Sequence, residues 1–173
     1  RMTLPSTFKV LVITLSDSAW AGEYEYLSGP LLKQRLETWF ADNGWNCSLE
    51  LVLIPDDKEK LKSLIISGGK VCNVIVTTGG TGVGPKDYTV EVVKPLLSRE
   101  IPGIMEYIRV KYGTEKPNAL LSCGIAGIVN KALIFTLPGS LRAVNEYMDE
   151  IERVLAHLIL MQHGIDSHGK ITS

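Results

Sequence analysis

The 173-residue sequence contains few cysteines, few aromatic residues and almost no net charge. Its 3 cysteines, Cys47, Cys72 and Cys123, are odd in number and far apart, which excludes a closed disulfide framework and a zinc-finger spacing. We therefore expect reduced thiols in the core. A net charge of −1 provides no broad basic surface, so neither nucleic acid nor an acidic membrane is expected as a partner.

Long apolar runs are missing as well. None approaches the roughly 18 residues that a membrane-spanning helix needs, and the first residues carry no apolar signal region. We therefore expect a cytoplasmic protein. The length and the 45% hydrophobic content suit one domain over residues 1–173, with a core at about 8–163 and a loose C-terminal tail.

Apolar, β-branched segments alternate with segments of helical periodicity along the chain. Predicted strands cover residues 8–15, 47–53, 71–78 and 132–137, and predicted helices begin near residues 28, 58, 89, 102 and 140. Ser28 is the expected cap of the first helix, Asp56 or Asp57 caps the second, and Gly68-Gly69 is expected to end it. Residues 119–130 are ambiguous because glycines interrupt an apolar run. The alternation predicts an α/β fold, a three-layer αβα sandwich with a mostly parallel central sheet.

A glycine-rich turn, Gly79-Gly80-Thr81-Gly82-Val83-Gly84, follows the third predicted strand. Glycine allows a positive φ and a close approach of main-chain N–H groups to an anion, while Thr77, Thr78 and Thr81 would add hydroxyl donors. The sequence does not match the dinucleotide-binding fingerprint, which requires glycine where Pro85 stands. It does not match the nucleoside-triphosphatase loop either, because Pro85 separates Gly84 from Lys86. The turn therefore predicts a phosphate site or only a tight connection.

Polar segments follow four predicted strands, at the edge where α/β sheets bind ligands. They are Ser16-Asp17-Ser18, Pro55-Asp56-Asp57, Thr78 to Gly82 with Asp87, and Pro138-Gly139-Ser140 with Arg142. Carboxylates beside a phosphate need a cation between them, and hard oxygen ligands suit Mg²⁺. Taken singly, Asp56 and Asp87 could be helix caps, Asp17 a turn former, and Lys86 and Arg142 solvated surface charges.

Together these motifs resemble the molybdopterin adenylyltransferase family of molybdenum cofactor biosynthesis over about residues 10–161. The resemblance implies Mg²⁺-dependent transfer of AMP from ATP to the molybdopterin phosphate with release of pyrophosphate. It implies nucleotide binding by Thr78, Gly79, Gly80, Thr81 and Gly82, and catalysis and metal binding by Asp56 and Asp87. It implies molybdopterin binding by Ser16, Asp17, Pro138, Gly139, Ser140 and Arg142. A homotrimer and a molybdenum-insertion enzyme as downstream partner are also implied.

The chain departs from the family pattern at three positions. The family usually has Arg-Asp-x-Thr-Pro where Lys86 to Val90 stands, and an aspartate where Tyr26 precedes Leu27-Ser28-Gly29. The alternative function is therefore a catalytically weak carrier or scaffold that binds molybdopterin without turnover. A third function, that of a molybdate-inserting domain of the same broad fold, is less expected because this short chain has no accessory domains. Apolar residues from Ile101 to Ile108 predict the trimer interface or, alternatively, internal packing.

Overall fold

The protein is described from a computed structural model, which places residues 3–22 and 25–166. Six strands within these residues form one sheet, and they are β1 (Phe8–Leu15), β2 (Cys47–Ile54), β3 (Val74–Thr78), β4 (Arg99–Glu100), β5 (Ala126–Val129) and β6 (Ala132–Leu137). Their order across the sheet is β2-β1-β3-β6-β5-β4. Neighbours among β2, β1, β3 and β6 are parallel, whereas β5 and β4 add an antiparallel edge. The predicted mostly parallel sheet is confirmed.

Helices cover both faces of this sheet. They are α1 (Asp17–Trp20), α2 (Ser28–Asp42), α3 (Lys58–Val71), α4 (Thr89–Val93), α5 (Pro102–Gly113) and α6 (Leu141–Gln162), with 3₁₀ turns at Lys94–Leu96 and Pro117–Leu121. Side chains alternate between the two faces of a strand. Val10 and Val12 of β1 accordingly pack with α2, α5 and α6, while Leu11 and Ile13 pack with α3 and α4. Two cores on opposite sides of one sheet make the predicted three-layer αβα sandwich.

Helix capping differs from the prediction at α2. Ser28 is the first helical residue and not the cap, and its hydroxyl instead donates to the carbonyl of Gly139 at 2.6 Å. At α3 the cap is Asp57, which accepts from the N–H groups of Glu59 and Lys60. The carboxylate of Asp56 is therefore not the helix cap.

The expected end of α3 at Gly68-Gly69 is wrong, since the helix continues to Val71. Both glycines lie where the helix approaches the sheet. A Cβ at Gly68 would lie 3.0 Å from Leu11 Cδ2, and one at Gly69 would lie 2.9 Å from Val129 Cγ1. The glycines thus serve helix–sheet packing rather than chain reversal.

The ambiguous run 119–130 contains the end of a 3₁₀ turn and the short strand β5. All three cysteines are free, Cys47 and Cys72 are half-buried, and burial raises the pKa of both thiols. Cys123 is exposed, so its expected place in the core is wrong. The predicted loose tail lies mainly in residues 167–173, outside the described residues. Among residues 3–22 and 25–166, no helix is long and apolar enough to cross a membrane.

Candidate active site

A cleft of about 390 Å³ opens at the carboxyl ends of the parallel strands. The polar segments after β1, β2, β3 and β6 all contribute to its walls, because parallel strands end at the same edge. Its lining consists of Leu15, Ser16, Asp17, Ser18, Tyr26, Asp56, Gly79, Gly80, Lys86, Asp87 and Gly139. Of the thirteen predicted site residues, seven line this cleft, and Thr78, Thr81, Gly82, Pro138, Ser140 and Arg142 do not.

Asp17 joins the first two segments. Its Oδ1 accepts a hydrogen bond from the main-chain N–H of Asp56 at 2.8 Å, and its Oδ2 accepts one from Lys86 Nζ at 3.0 Å. The N–H of Asp56 and then the Lys86 ammonium lower the pKa of Asp17. The same ion pair raises the pKa of Lys86. Asp17 and Lys86 are thus held in their charged forms at the mouth of the cleft.

The pKa of Asp56 is shifted in the opposite direction to that of Asp17. Burial raises the pKa of its carboxyl group, and the nearby charge of Asp17 adds to the increase. The main-chain N–H of Asp17 and the charge of Lys86 act against this shift without cancelling it. A carboxylate crowded by like charge gains from a cation placed beside it.

Glycine is required at the start of the turn after β3. Gly79 has φ +103° and Gly80 has φ +73°, both in the left-handed region. A Cβ at Gly79 would also lie 2.6 Å from the carbonyl oxygen of Leu15. Thr89 fixes the turn from the far side, because its hydroxyl donates to Gly79 O at 2.8 Å and its N–H donates to Gly80 O at 3.1 Å.

Asp87 closes the glycine-rich turn. Its Oδ2 accepts from the N–H of Gly84 at 2.7 Å, and a Cβ at Gly82 would lie 2.8 Å from that oxygen. Helix α4 begins after Tyr88 and has no side-chain cap bond. The interpretation of Asp87 as only a helix cap is therefore wrong.

The threonine side chains of this region point into the protein. Thr77, Thr78 and Thr81 are all buried, and the Thr78 hydroxyl donates to Pro138 O at 2.9 Å. Contrary to expectation, these buried hydroxyl groups are not placed to donate to an anion in the cleft. The bond from Thr78 instead ties the glycine-rich turn to the segment after β6.

Tyr26 lies at the seam between these two segments. A Cβ at Gly139 would collide with the Tyr26 hydroxyl, and one at Gly79 would lie 3.5 Å from it. The phenol therefore sits between both glycines on the cleft wall. The sequence marked Tyr26 and Lys86 only as departures from a pattern, and their positions in the cleft were not predicted.

Ser140 and Arg142 do not line the cleft. The Ser140 hydroxyl oxygen caps α6 by accepting from Ala143 N–H at 3.1 Å. The Arg142 side chain is 64% exposed, with Nε 3.8 Å from Glu146 Oε1. Arg142 is therefore exposed and outside the cleft lining, although it lies on the helix that begins after the Pro138-Gly139-Ser140 turn.

Within residues 3–22 and 25–166, no group of three or more His, Cys, Asp or Glu side chains could hold a metal ion alone. This donor set does not fit an all-protein metal cage. It fits Mg²⁺ bound by one or two carboxylates with phosphate oxygens as further ligands, which is the usual mode for phosphate-handling enzymes.

A second loop supports the glycine-rich turn from behind. The N–H of Cys123 donates to Thr81 O at 2.8 Å, and the Ser122 hydroxyl donates to Thr81 Oγ1 at 3.3 Å. Residues 122–124 fall in the ambiguous run of the sequence and carry no motif. Only the pairing of β5 beside β6 brings them to the turn.

Comparison with known proteins identifies related chains. The sequence profile described as "Probable molybdopterin binding domain" matches residues 11–157. A molybdopterin adenylyltransferase from Pyrococcus furiosus is 37% identical over 161 residues, covering 90% of this chain and 91% of that protein. The Drosophila melanogaster molybdenum cofactor synthesis protein cinnamon is 35% identical over 150 residues, covering 86% of this chain. This chain spans only 24% of the length of cinnamon.

Solved structures agree with these matches. The molybdopterin biosynthesis enzyme MoaB from Thermus thermophilus superposes with a TM-score of 0.79 at 30% identity, covering 92% of this chain and 98% of that one. The profile match, the relatives and the shared fold all lead to the same family. The chain belongs to the molybdopterin-binding domains of molybdenum cofactor biosynthesis, of the MoaB and MogA type.

Proposed function

We propose that the protein is a molybdopterin adenylyltransferase that transfers AMP from ATP to the molybdopterin phosphate and releases pyrophosphate. The observation that carries this proposal is the cleft in which Gly79 and Gly80 face Asp56, Asp87 and Lys86. Phosphoryl and nucleotidyl transfer require positioning and charge neutralisation more than a covalent protein intermediate. The similarity to the molybdopterin adenylyltransferase of Pyrococcus furiosus supports the same reaction.

Each wall of the cleft has a separate task in this proposal. The turn from Thr78 to Gly82 receives the nucleotide phosphates. Because the N–H of Gly79 already donates to Leu137 O at 2.9 Å, the main-chain donors proposed for the anion are those of Gly80, Thr81 and Gly82. Lys86, pinned by Asp17, adds a positive charge at the mouth. Ser16, Asp17 and the Pro138-Gly139-Ser140 turn hold molybdopterin, and the positive end of the α6 dipole favours its phosphate. Arg142 reaches that phosphate only after leaving Glu146.

Asp56 and Asp87 are the proposed Mg²⁺ ligands. Bound Mg²⁺ would neutralise charge on the phosphate oxygens of the nucleotide. Asp56 suits this role because burial and Asp17 already disfavour its isolated negative charge. Asp87 suits it because its fixed Oδ2 lies at the edge of the glycine-rich turn.

The alternative is a carrier or scaffold that binds molybdopterin without turnover. Lys86 in place of the family arginine favours it, because lysine cannot make the bidentate contact that arginine makes with phosphate. A pyrophosphate-release assay with molybdopterin, ATP and Mg²⁺ separates the two functions. Pyrophosphate formed in proportion to adenylylated molybdopterin supports the transferase, whereas molybdopterin binding without pyrophosphate supports the carrier.

We also propose that the protein is a cytoplasmic homotrimer and that its downstream partner is a molybdenum-insertion enzyme. Met105 and Ile108 are each 1% exposed and pack internally, so they are not available as interface residues. The exposed apolar side chains nearby are instead Tyr107 and Val110 on α5, and Leu120 and Leu121 in the 3₁₀ turn that packs against it. Exposed apolar side chains on two elements that pack together favour association.

A further inference from the structure

We propose that Arg109 of α5 is a positioning residue for the glycine-rich turn, acting through residues 122–124. This inference rests on the proposed nucleotide site, because the turn is the part of the cleft assigned to ATP. Arg109 itself does not line the cleft. Its effect must therefore pass through the intervening loop.

Arg109 contacts the loop of residues 122–124 directly. Its Nη1 donates to Gly124 O at 2.9 Å and to Ser122 O at 3.3 Å. No carboxylate among residues 3–22 and 25–166 forms an ion pair with this guanidinium. A half-buried arginine that donates to two main-chain carbonyls fixes a loop conformation, since hydrogen bonds from a charged donor are about twice as strong as neutral ones.

The loop of residues 122–124 in turn contacts the glycine-rich turn. Between the two carbonyls held by Arg109 lies Cys123, whose N–H donates to Thr81 O at 2.8 Å. The Ser122 hydroxyl adds a bond of 3.3 Å to Thr81 Oγ1. The main chain and the side chain of Thr81 are thus both set by a loop that Arg109 clamps on either side.

The loop of residues 122–124 is also packed against β6, which limits its movement. A Cβ at Gly124 would lie 2.6 Å from Thr136 O, so this residue is pressed against β6. On the other side, the buried side chain of Tyr147 on α6 lies beside Ser122, a neighbour that lowers the pKa of the phenol against the larger, opposite effect of burial. Arg109 therefore fixes the loop through its two hydrogen bonds, and Thr81 takes its position from the loop.

The proposal predicts a selective loss of nucleotide binding. Arg109→Met keeps the apolar stem and removes the donors, so the apparent KM for ATP should rise on the order of tenfold. The KM for molybdopterin and kcat should change less than about twofold, because no hydrogen bond among the described residues joins the loop to the residues assigned to molybdopterin. Arg109→Lys keeps one charged donor and should recover part of the loss. Arg99→Met, at an exposed arginine on β4, is the matched control and should leave both KM values unchanged.

Amide hydrogen exchange at Thr81 and Cys123 provides a readout that does not depend on turnover. Exchange at Cys123 should accelerate in Arg109→Met and be slower again in Arg109→Lys, with no change in Arg99→Met. Faster exchange together with absent ATP binding in the wild-type protein would retain the positioning role and reject only the proposed function. Unchanged exchange at Cys123, or equal increases in both KM values, would overturn the role of Arg109.

Discussion

Asp17 Oδ1 accepts the main-chain N–H of Asp56 at 2.8 Å, and this bond joins the loops that follow β1 and β2. The two carboxyl groups consequently share one wall of the cleft with opposite pKa shifts. Asp17 is held charged by donors, while Asp56 is disfavoured as an anion by burial and by Asp17. The pair leaves Asp56 as the carboxylate that gains most from a bound cation.

The coupling predicts a measurable titration change. Asp17→Asn removes the like charge, so the pKa of Asp56, now above its ordinary value of 3.8, should fall. Carboxyl carbon NMR titration of aspartate-labelled protein, assigned with Asp56→Asn, measures this directly. Asp42→Asn, at an exposed residue at the end of α2, is the control and should leave the Asp56 titration unchanged. An unshifted Asp56 in Asp17→Asn would contradict the coupling.

Asp87→Asn should abolish turnover while sparing the fold. The amide keeps an oxygen that can accept from Gly84 N–H, so the turn can remain closed, but the charge that we propose binds Mg²⁺ is lost. Loss of a metal clamp costs several kcal/mol of transition-state stabilisation, so the rate should fall at least about a hundredfold. Adenylylation rates and the thermal midpoint are measured together, and near wild-type turnover would reduce Asp87 to a turn former.

Much of the fold could be predicted from the sequence. The bounds of β1 and β6 agree with the predicted strands because both are mainly apolar runs between polar turns. The convergence of four polar segments also followed from parallel strands ending at one edge. Gly68-Gly69 misled because glycine chosen for close helix–sheet packing has the same appearance as glycine that ends a helix.

The details of the site could not be predicted in the same way. Nothing local distinguishes Asp57, which caps α3, from Asp56, which faces the cleft. Ser122 reaches Thr81 across 41 residues of sequence, a distance that only tertiary structure closes. The burial of Thr78 and the solvent exposure of Arg142 depend likewise on neighbours that no motif specifies.

Glu150 provides a stability prediction away from the cleft. Burial alone would raise the pKa of this carboxyl, but hydrogen bonds from Lys111, Tyr112 and Arg153 lower it to about 2. Because the folded pKa is below the ordinary 4.5, the stabilisation is present above pH 4.5 and is lost as the pH falls toward 2. Glu150→Gln should therefore lower the free energy of unfolding by about 1–3 kcal/mol at neutral pH, with a smaller difference at pH 3.

Urea unfolding at several pH values measures the Glu150 effect. The matched control is Glu37→Gln, which breaks an exposed pair with Lys33 at 3.6 Å. It should cost less than about 0.5 kcal/mol, because exposed pairs are screened by solvent. A difference between wild type and Glu150→Gln that does not change with pH would contradict the assigned ionisation.

The trimer is tested by light scattering at micromolar concentration. The mass should be near three times the 19.0 kDa of the chain. Val110→Asp places a charge on the exposed face of α5 and should yield monomers, since Val110 is 67% exposed in the single chain. Ile66→Asp on α3, on the opposite face of the sheet, should leave the mass unchanged. A wild-type monomer would remove the trimer and the α5 surface, but not the cleft assignment.

The central claim is that the turn from Gly79 to Gly82 holds nucleotide phosphates. A crystal structure with Mg²⁺ and a non-hydrolysable ATP analogue tests it most directly. We expect main-chain N–H groups of this turn within hydrogen-bond distance of phosphate oxygens, about 2.7–3.2 Å, with Mg²⁺ between those phosphates and Asp56 or Asp87. Phosphates bound elsewhere, with the glycine-rich turn free of ligand, would contradict the account.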